Sequence, residues 1–410
     1  MKKKKIKLRK ILPLGLIMWW IKIKKKSKKY FPDEVEIIYI LTGIIFITAL
    51  GLILWFGYTY FLNKRFASMS ILGFGSDLIT KDGVVEDCEL RRLLDGVCVE
   101  SKEEVNPRLI AVMIENHTDA RPQSGLVDAS IVYEAPVEAN YTRFLAIYPA
   151  DIEVEKAGPV RSARPYYLDW VSEYGDPMYM HVGGSNEALS LIKQYDIFDI
   201  NEMTKGWYFW RSEDRYAPHN TYTSSEFWDK VLTDYDSRQP IAESQAGWWT
   251  FVTSSPDHFI TTSPTNTENL VDEITVSFLP PVYEARWEFN SSTGKYDRFQ
   301  MEGTHRDQDG RKIKADTIIV QHVSSQVLDE VGRIAIDTIG EGDVEVFYDG
   351  LVFIGTWKKE DRTSRTRFYS ARGGSASGGN EVGEEIKLKP GKIWIEVVNG
   401  RGSVEYSTQL

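Results

Sequence analysis

The stretch from Ile37 to Leu62 constrains this chain most, because its 26 residues include no charged side chain. An apolar helix of that length can cross a bilayer with some tilt. Residues 1–36 carry 13 Lys or Arg and three acids, whereas only Lys64 and Arg65 follow the stretch closely. The positive-inside rule therefore predicts a cytoplasmic N-terminus, a transmembrane helix at 37–62 and an extracytoplasmic remainder.

A cleaved signal peptide is the alternative interpretation of this segment. The apolar run is longer than the apolar core of a signal peptide, which spans about 7–15 residues. It ends in Tyr-Phe-Leu-Asn-Lys-Arg, which offers no small-residue cleavage site. We therefore favour an uncleaved, single-pass anchor in the plasma membrane.

Charge divides the chain sharply at this anchor. Residues 1–36 carry a net charge of +10 (13 minus 3) and the whole chain carries −10, so the remainder carries −20. The basic tail suits the anionic inner leaflet of a membrane. The acidic remainder lacks the basic face of a non-specific nucleic-acid binder, so we expect no nucleic-acid partner.

The two cysteines, Cys88 and Cys98, both follow the predicted anchor. Outside the cytoplasm a disulfide between them is the expected pairing, and two free thiols are the alternative. No third or fourth ligand stands close enough to predict a zinc site. Residues 63–104, which contain this loop, are rich in Gly, Ser, Asp and Lys and are typical of an extracytoplasmic stalk.

Residues 105–236 combine strand and helix patterns, which predicts an α/β (α+β) domain built in layers around a mixed sheet. Ser225 is a candidate helix cap, because Ser is favoured at that position. The predicted strands lie at 109–114, 129–134, 142–148 and 178–182, and the predicted helices at 165–174, 186–195 and 224–234.

Residues 274–400 predict a mainly antiparallel β domain, after a connecting segment at 237–273 that is rich in Ser, Thr and Pro. Alternating patterns flank the turn pairs Asp349-Gly350 and Pro390-Gly391, and each pattern predicts a hairpin. Residues 401–410 form a short tail. Each of the two domains is long enough to bury a core of its own.

Three polar segments in the α/β part carry the candidate chemistry, because each stands where a predicted strand ends or a helix begins. Guanidinium groups and free amides at the start of a helix are groups that bind anions. The segments are Gly158–Pro165, His181–Ser185 and Arg215–Asn220.

Each of these segments also has a purely structural interpretation. The Gly183–Ser185 turn is either an anion cradle or an ordinary strand–helix turn. Arg161 and Arg164 either grip a ligand together or form ion pairs with acidic residues of the fold, for which the candidates are Glu134, Glu138 and Asp169.

His181 and His219 are candidate acid/base groups, because histidine titrates near neutral pH, and Glu134 is their candidate partner. The alternative for each histidine is a hydrogen bond within the fold. No Gly-x-Ser-x-Gly elbow accompanies them. The alternating polar residues of 305–310 lack the closing Glu of a calcium loop, so we expect a turn there, no metal and no cofactor.

The chain resembles the YerB-like family of bacterial proteins over about residues 105–400. The motifs that carry the resemblance are Ala120–Leu126, Asp128–Ala129, Tyr133–Glu134, Thr142–Phe144, Gly158–Arg164, His181–Ser185, Arg215–Asn220, Gly355–Lys359, Thr366–Tyr369 and Leu388–Val397.

This resemblance implies an envelope protein outside the cytoplasm, with an α/β domain at 105–236, a β-rich domain at 274–400 and no established activity. Members of the family are often lipoproteins, anchored through a cysteine in a lipobox. This chain departs from that pattern, because Cys88 follows Val-Val-Glu-Asp and no lipobox. No catalytic residue carries over from the family.

The function that these features favour is a non-catalytic binding module for an anionic or glycan-containing ligand of the cell envelope. The alternatives are a hydrolase or transferase that acts on phosphate or glycan linkages, and a scaffold for envelope proteins. The candidate ligand-binding residues are Arg121, Glu134, Arg143, Arg161, Arg164, His181, Gly183, Gly184, Ser185, Arg215, His219 and Asn220.

Overall fold

The computed structural model describes residues 88–238, 247–252, 270–301, 303–371 and 383–409. The predicted cytoplasmic tail and transmembrane helix lie outside these ranges. Within them, no helix is long and apolar enough to cross a membrane. The chain divides into two units, 1–82 and 83–410, and every described residue belongs to the second unit.

Strands dominate the described part of the chain. The strands are β1 (Leu109–Glu115), β2 (Ile131–Pro136), β3 (Thr142–Pro149), β4 (Met178–His181), β5 (Asp199–Asn201), β6 (Trp210–Arg211), β7 (Thr221–Tyr222), β8 (Leu270–Leu279), β9 (Tyr283–Asn290), β10 (Lys295–Gln300), β11 (Gly303–Thr304), β12 (Lys314–Ala315), β13 (Thr317–Val323), β14 (Ser325–Val327), β15 (Ile334–Ile336), β16 (Gly340–Tyr348), β17 (Leu351–Lys359), β18 (Arg367–Ser370), β19 (Ile393–Asn399) and β20 (Ser403–Gln409). The α-helices of the same ranges are α1 (Pro165–Ser172), α2 (Asn186–Gln194), α3 (Glu202–Lys205) and α4 (Ser225–Asp234). Short 3₁₀ turns span Glu103–Val105, Thr118–Ala120, Glu138–Asn140 and Gly206–Tyr208.

A mixed sheet of ten strands forms the centre of this unit, in the order β18-β17-β16-β13-β19-β2-β3-β1-β4-β5. Strands β1, β4 and β5 pair in parallel, and β3 runs antiparallel between β1 and β2. Strand β19 pairs in parallel with both β2 and β13. A single sheet therefore continues from the predicted α/β segment into the predicted β segment.

A second sheet, which is antiparallel, is built from the C-terminal segment. Its order is β11-β10-β9-β8-β20, and β12 pairs with β10. Two small sheets, β14-β15 and β6-β7, complete the strand pairing of the described residues. The structure thus shows a mixed α/β fold with large sheets, few helices and an antiparallel β part.

The ten-stranded sheet is buried on both faces, as the alternation in β1 shows. Leu109, Ala111 and Met113 belong to one hydrophobic cluster, which also contains Trp170 of α1. The intervening residues of β1 belong to the other cluster, which also contains Trp287 of the second sheet. Both clusters include residues from both predicted segments, so the two segments share these cores.

Two local expectations are wrong. The Pro390-Gly391 pattern does not make a hairpin, because β19 pairs in parallel with β2 and β13 instead of with the residues before the turn. Ser224, not Ser225, occupies the cap position of α4, and it makes no side-chain capping bond. The Ser225 hydroxyl instead accepts the amide of Val154 at 3.0 Å.

Cys88 and Cys98 form a disulfide, with their Cα atoms 5.8 Å apart. The loop that it closes packs on the domain, because Leu94 is 1% exposed and belongs to the first hydrophobic cluster. The Asp95 carboxylate accepts the Ser130 hydroxyl at 2.5 Å. This end of the predicted stalk is therefore part of the folded unit.

Replacing both cysteines with Ala should lower the free energy of unfolding by about 2–4 kcal/mol, since the cross-link restricts the unfolded chain. Chemical denaturation with and without a thiol reductant measures the change. The reductant should destabilise the wild-type protein and leave the double variant unaffected. An equal response of the two proteins would show that the cross-link contributes nothing.

Candidate functional site

The candidate site lies at the edge of the large sheet where the parallel strands β1, β4 and β5 end. Glu115 ends β1 and His181 ends β4, while the antiparallel strand β3 begins at this edge with Thr142. Ligands of α/β sheets bind in crevices outside the carboxyl ends of the strands. The polar segment that contains Arg161 reaches this edge, because the Arg161 amide donates to the Met113 carbonyl at 2.9 Å.

Two arginines of this edge each pair with one glutamate. Arg161 Nε donates to Glu115 Oε1 at 2.7 Å, and Arg164 Nε donates to Glu138 Oε1 at 2.6 Å. The side chains of Arg161 and Arg164 remain 24% and 17% exposed, so both reach solvent. Burial alone would raise the pKa of Glu138, but the Arg164 charge and hydrogen bonds hold that pKa below its ordinary value.

Arg143 brings a third guanidinium to the same edge, and it is buried. Its Nη1 donates to the carbonyl oxygen of Ser162 at 2.6 Å. Among the described residues, no carboxylate lies within ion-pair distance of Arg143. Burial lowers its pKa most, and the neighbouring charge of Arg164 lowers it further. The edge thus presents three guanidiniums and two paired carboxylates.

His219 lies beside the arginines because its loop folds back to the end of β1. Its Nδ1 is 2.8 Å from Glu115 Oε2, so one glutamate bridges Arg161 and His219. On its other side, the His219 ring stacks on His117 with 4.9 Å between centroids. The partner of His219 is therefore Glu115, and the expected partner Glu134 lies elsewhere.

The Gly183–Ser185 turn has the geometry of an ordinary helix cap. The Ser185 hydroxyl accepts the Ala188 amide at 3.2 Å, as an N-cap serine does. The amide of Gly183 donates to Asn201 Oδ1 at 2.9 Å, and that of Ser185 donates to the Ala163 carbonyl at 3.3 Å. Protein acceptors thus occupy these two amides of the proposed anion cradle.

His181 is fully buried at the end of β4. Its Nδ1 is 2.6 Å from the Gly183 carbonyl oxygen, and its Nε2 is 2.5 Å from Asp199 Oδ1. Both ring nitrogens therefore face acceptors within the fold. This arrangement matches the structural interpretation of His181.

Three further candidates connect loops around the edge. Arg121 Nη2 donates to the carbonyls of Asn116 and Val282, each at 3.0 Å, and burial lowers the pKa of Arg121. Arg215 Nη2 donates to the Pro122 carbonyl at 2.6 Å. Asn220 Nδ2 donates to the Ser212 carbonyl at 3.1 Å. These contacts fix the loops that carry His117 and His219.

Glu134 does not face the arginine edge but lies between the two large sheets, where it pairs with Arg298 of β10. Its Oε1 also accepts the Thr142 hydroxyl at 2.6 Å and the Asn116 amide at 3.1 Å. Because both oxygens of Glu134 have partners inside the core and His219 pairs with Glu115, Glu134 is not the partner of His219 in this structure.

Glu396 of β19 lies beside this buried pair. Burial raises its pKa well above the ordinary value, and the negative charge of Glu134 adds to the rise. Its Oε1 accepts the Trp287 indole N–H at 2.9 Å. Burial and the Arg298 charge lower the pKa of His305 well below its ordinary value. These side chains form a buried polar network between the two large sheets.

A cavity of about 510 Å³ lies at the opposite edge of the sheet, near the start of β4 and the end of α2. Both of its arginines are engaged, since Arg238 pairs with Asp176 at 2.6 Å and Arg362 donates to Ser172 Oγ at 2.7 Å. The arginine edge differs from this cavity because it holds a buried arginine, Arg143, with no carboxylate within ion-pair distance among the described residues, and it is therefore the stronger candidate for a ligand.

Comparison with known proteins gives matches to both halves of the chain. Family models described as the N-terminal and C-terminal domains of a protein of unknown function, DUF3048, match residues 94–239 and 274–395. The YerB protein of Bacillus subtilis strain 168, whose name describes it provisionally as a lipoprotein, is 30% identical over 334 residues. The match covers 78% of this chain and 89% of the relative.

The chain belongs to the DUF3048 family. A crystal structure of YerB from Bacillus subtilis superimposes with a TM-score of 0.63 at 25% identity, and covers 77% of this chain and all of that one. The YerB-like resemblance and the coarse α/β-plus-β fold are therefore confirmed. The family's description assigns no activity.

Sequence reasoning about this DUF3048 chain missed several residues that complete the site. Glu115, His117 and Asp119 follow directly from the apolar core of β1, and that position at a strand end was the available signal. Arg298 was missed although its spacing of two residues from Tyr296 and from Gln300 places it on the same face of the strand, the buried one. Its distance of 164 residues from Glu134 hides the pairing in the sequence.

Proposed function

We propose that this protein is a membrane-anchored binding module of the bacterial envelope, which holds an anionic, glycan-containing polymer at the edge formed by Arg143, Arg161 and Arg164. One observation carries the proposal: three guanidiniums converge at the carboxyl ends of parallel strands, and the buried one has no carboxylate within ion-pair distance among the described residues. A phosphate or carboxylate group of a ligand balances the guanidinium charge that the two glutamates of this edge leave over.

The proposed location rests on the uncharged segment at 37–62 and on the basic residues before it. A relative whose name describes it provisionally as a lipoprotein supports a tether on the same side of a membrane. A transmembrane helix in place of a lipid anchor would leave the folded unit on the same, extracytoplasmic side of the membrane.

Exposed aromatic side chains near this edge suit a ligand that contains sugars. Tyr141 precedes β3 and is 41% exposed, and Tyr216 precedes His219 and is 92% exposed. Trp207, which follows α3, is 59% exposed. Aromatic faces stack on the apolar faces of sugars while the arginines bind charge, so the ligand that fits best carries both.

Glutamine at both Arg161 and Arg164 should weaken binding of a glycerol phosphate oligomer at least about tenfold, because charge-assisted hydrogen bonds contribute about 1.5–3 kcal/mol. Isothermal titration of the full-length protein in detergent measures the affinity. An uncharged N-acetylglucosamine oligomer, titrated in parallel, separates the contribution of sugar from that of charge.

The matched control replaces Arg311 and Arg333 with glutamine. Both are exposed and paired with aspartates outside the site, and the change in net charge is the same. The control should bind as the wild type does. Equal loss in both double variants would show non-specific charge attraction, and no loss in the Arg161/Arg164 variant would contradict the proposal.

An enzyme is the second candidate, because Glu115 orients His219 as a carboxylate orients a general base. Its test is hydrolysis of the same glycerol phosphate oligomer. A turnover rate that follows a histidine titration, and that His219→Ala abolishes, would establish it. Binding without turnover would support the binding module. The absence of both binding and turnover would favour the scaffold.

A further inference from the structure

The side chains of His117, Asp119 and His219 form a cluster with the composition of a metal site. One ligand atom from each residue lies within 4.8 Å of the other two. His117 Nδ1 is 3.7 Å from Asp119 Oδ2, and His219 Nε2 is 3.9 Å from the same oxygen. Ligands of tetrahedral zinc, each about 2.0–2.1 Å from the metal, are about 3.4 Å apart, so the two histidine–aspartate distances exceed that spacing by only a few tenths of an ångström. The two histidine rings are stacked, and binding would require one of them to turn toward the metal.

Glu115 supplies the second feature of such a site. A carboxylate only accepts hydrogen bonds, so the Nδ1 of His219, 2.8 Å away, carries the proton. The lone pair of His219 is then on Nε2, the atom that faces Asp119. Histidines that bind metals are commonly held by a carboxylate in this way, and this fixes the tautomer that binds.

The third feature is access from solvent. The side chains of His117, Asp119 and His219 are 37%, 69% and 17% exposed. His117 Nδ1 accepts the Asp119 amide at 3.2 Å, and a bound metal would replace that single weak contact. Three protein ligands also leave a fourth position open for water or another ligand.

We infer that His117, Asp119 and His219 bind one divalent transition-metal ion, with Glu115 orienting His219. Two imidazole nitrogens and one carboxylate oxygen favour zinc over magnesium or calcium, which take mainly oxygen ligands. This inference is independent of the proposed polymer, because its test measures the binding of the metal ion alone.

The test uses full-length protein in detergent, stripped with a chelator and titrated with Zn²⁺ against a chromophoric competitor. Wild-type protein should bind one ion per chain, and Asp119→Ala and His117→Ala should each weaken binding at least tenfold. Both residues are exposed enough to be replaced without loss of the fold, which far-ultraviolet circular dichroism checks. Co²⁺ provides a second readout, because its visible spectrum changes when imidazole nitrogens bind it.

The matched control is His322→Ala, which removes a histidine that also pairs with a glutamate, Glu345, outside the cluster. It should bind Zn²⁺ as the wild type does. The inference is overturned if the wild type binds no Zn²⁺ in the titration, or if the cluster variants keep its affinity. Equal weakening in the His322 control would also overturn it, since binding would then not be located at the cluster.

Discussion

Replacing Arg298 with Met lowers the free energy of unfolding by about 3–5 kcal/mol, the expected result of breaking a fully buried ion pair. Arg298 is 0% exposed and holds Glu134, which is 1% exposed. Without the guanidinium, Glu134 and Glu396 remain buried together and lose the arginine that lies within ion-pair distance of both. Urea denaturation of the wild type and of the variant measures the loss.

The loss in free energy of unfolding should also depend on pH, and the buried carboxyls determine whether it grows or shrinks as the pH rises. Burial and the charge of Glu134 raise the pKa of Glu396 in the folded protein, and Arg298 opposes that rise. A carboxyl whose pKa is raised by folding contributes stability below its unfolded pKa, about 4.5, and loses it as the pH rises through the folded value. The Arg298→Met variant should therefore lose more stability at pH 8 than at pH 5.

Arg311→Met is the control for this result. The Arg311 side chain is 51% exposed and pairs with Asp128 and Asp309 at the surface. Surface pairs contribute about 0–1 kcal/mol, so this variant should stay close to the wild type at both pH values. An Arg298 variant that is equally stable would contradict the view that this buried group holds the two sheets together.

The same substitution at Arg143 should have the opposite effect on stability. No carboxylate of the described residues pairs with this buried guanidinium, and burial lowers its pKa. Methionine removes the charge that the fold must desolvate and loses one hydrogen bond, to the Ser162 carbonyl. We expect the free energy of unfolding to stay equal or to rise by up to about 2 kcal/mol.

Arg143→Met should at the same time weaken binding of the glycerol phosphate oligomer about tenfold or more, since it removes one of the three positive charges. Thermal unfolding and isothermal titration on one preparation measure both effects. Stability that is retained while affinity falls is typical of a residue kept for function. A large loss of stability would instead make Arg143 a structural residue and remove the observation on which the proposed function rests.

Local patterns were enough to predict much of this fold from the sequence. Apolar patterns placed β1, β3, α1 and α2 close to their observed bounds. The pairing of β19 escaped prediction, because a run of six residues from Ile393 to Val398 looks the same in a hairpin and in a parallel strand buried on both faces. Only the partners β2 and β13 distinguish the two.

The sequence was enough to predict the cationic residues of the candidate site, but not the residues that pair with them. Arg161, Arg164 and His219 stand at strand or helix ends, and the sequence shows this. Their partners are set by tertiary contacts, such as that of Glu115 with His219, 104 residues away. Glu134 was wrongly predicted as the partner of the histidines for this reason. Its position in β2 does not show which face of the sheet it occupies, and only the second sheet reveals its pairing with Arg298.

The most direct test of the proposed binding site is a crystal structure of the protein soaked with a glycerol phosphate oligomer. The account predicts a phosphate group within hydrogen-bond distance of the guanidiniums of Arg161 and Arg164, with Arg143 behind them. A phosphate bound instead in the cavity beside Arg238 and Arg362, or no bound phosphate at a concentration that saturates binding in solution, would contradict it.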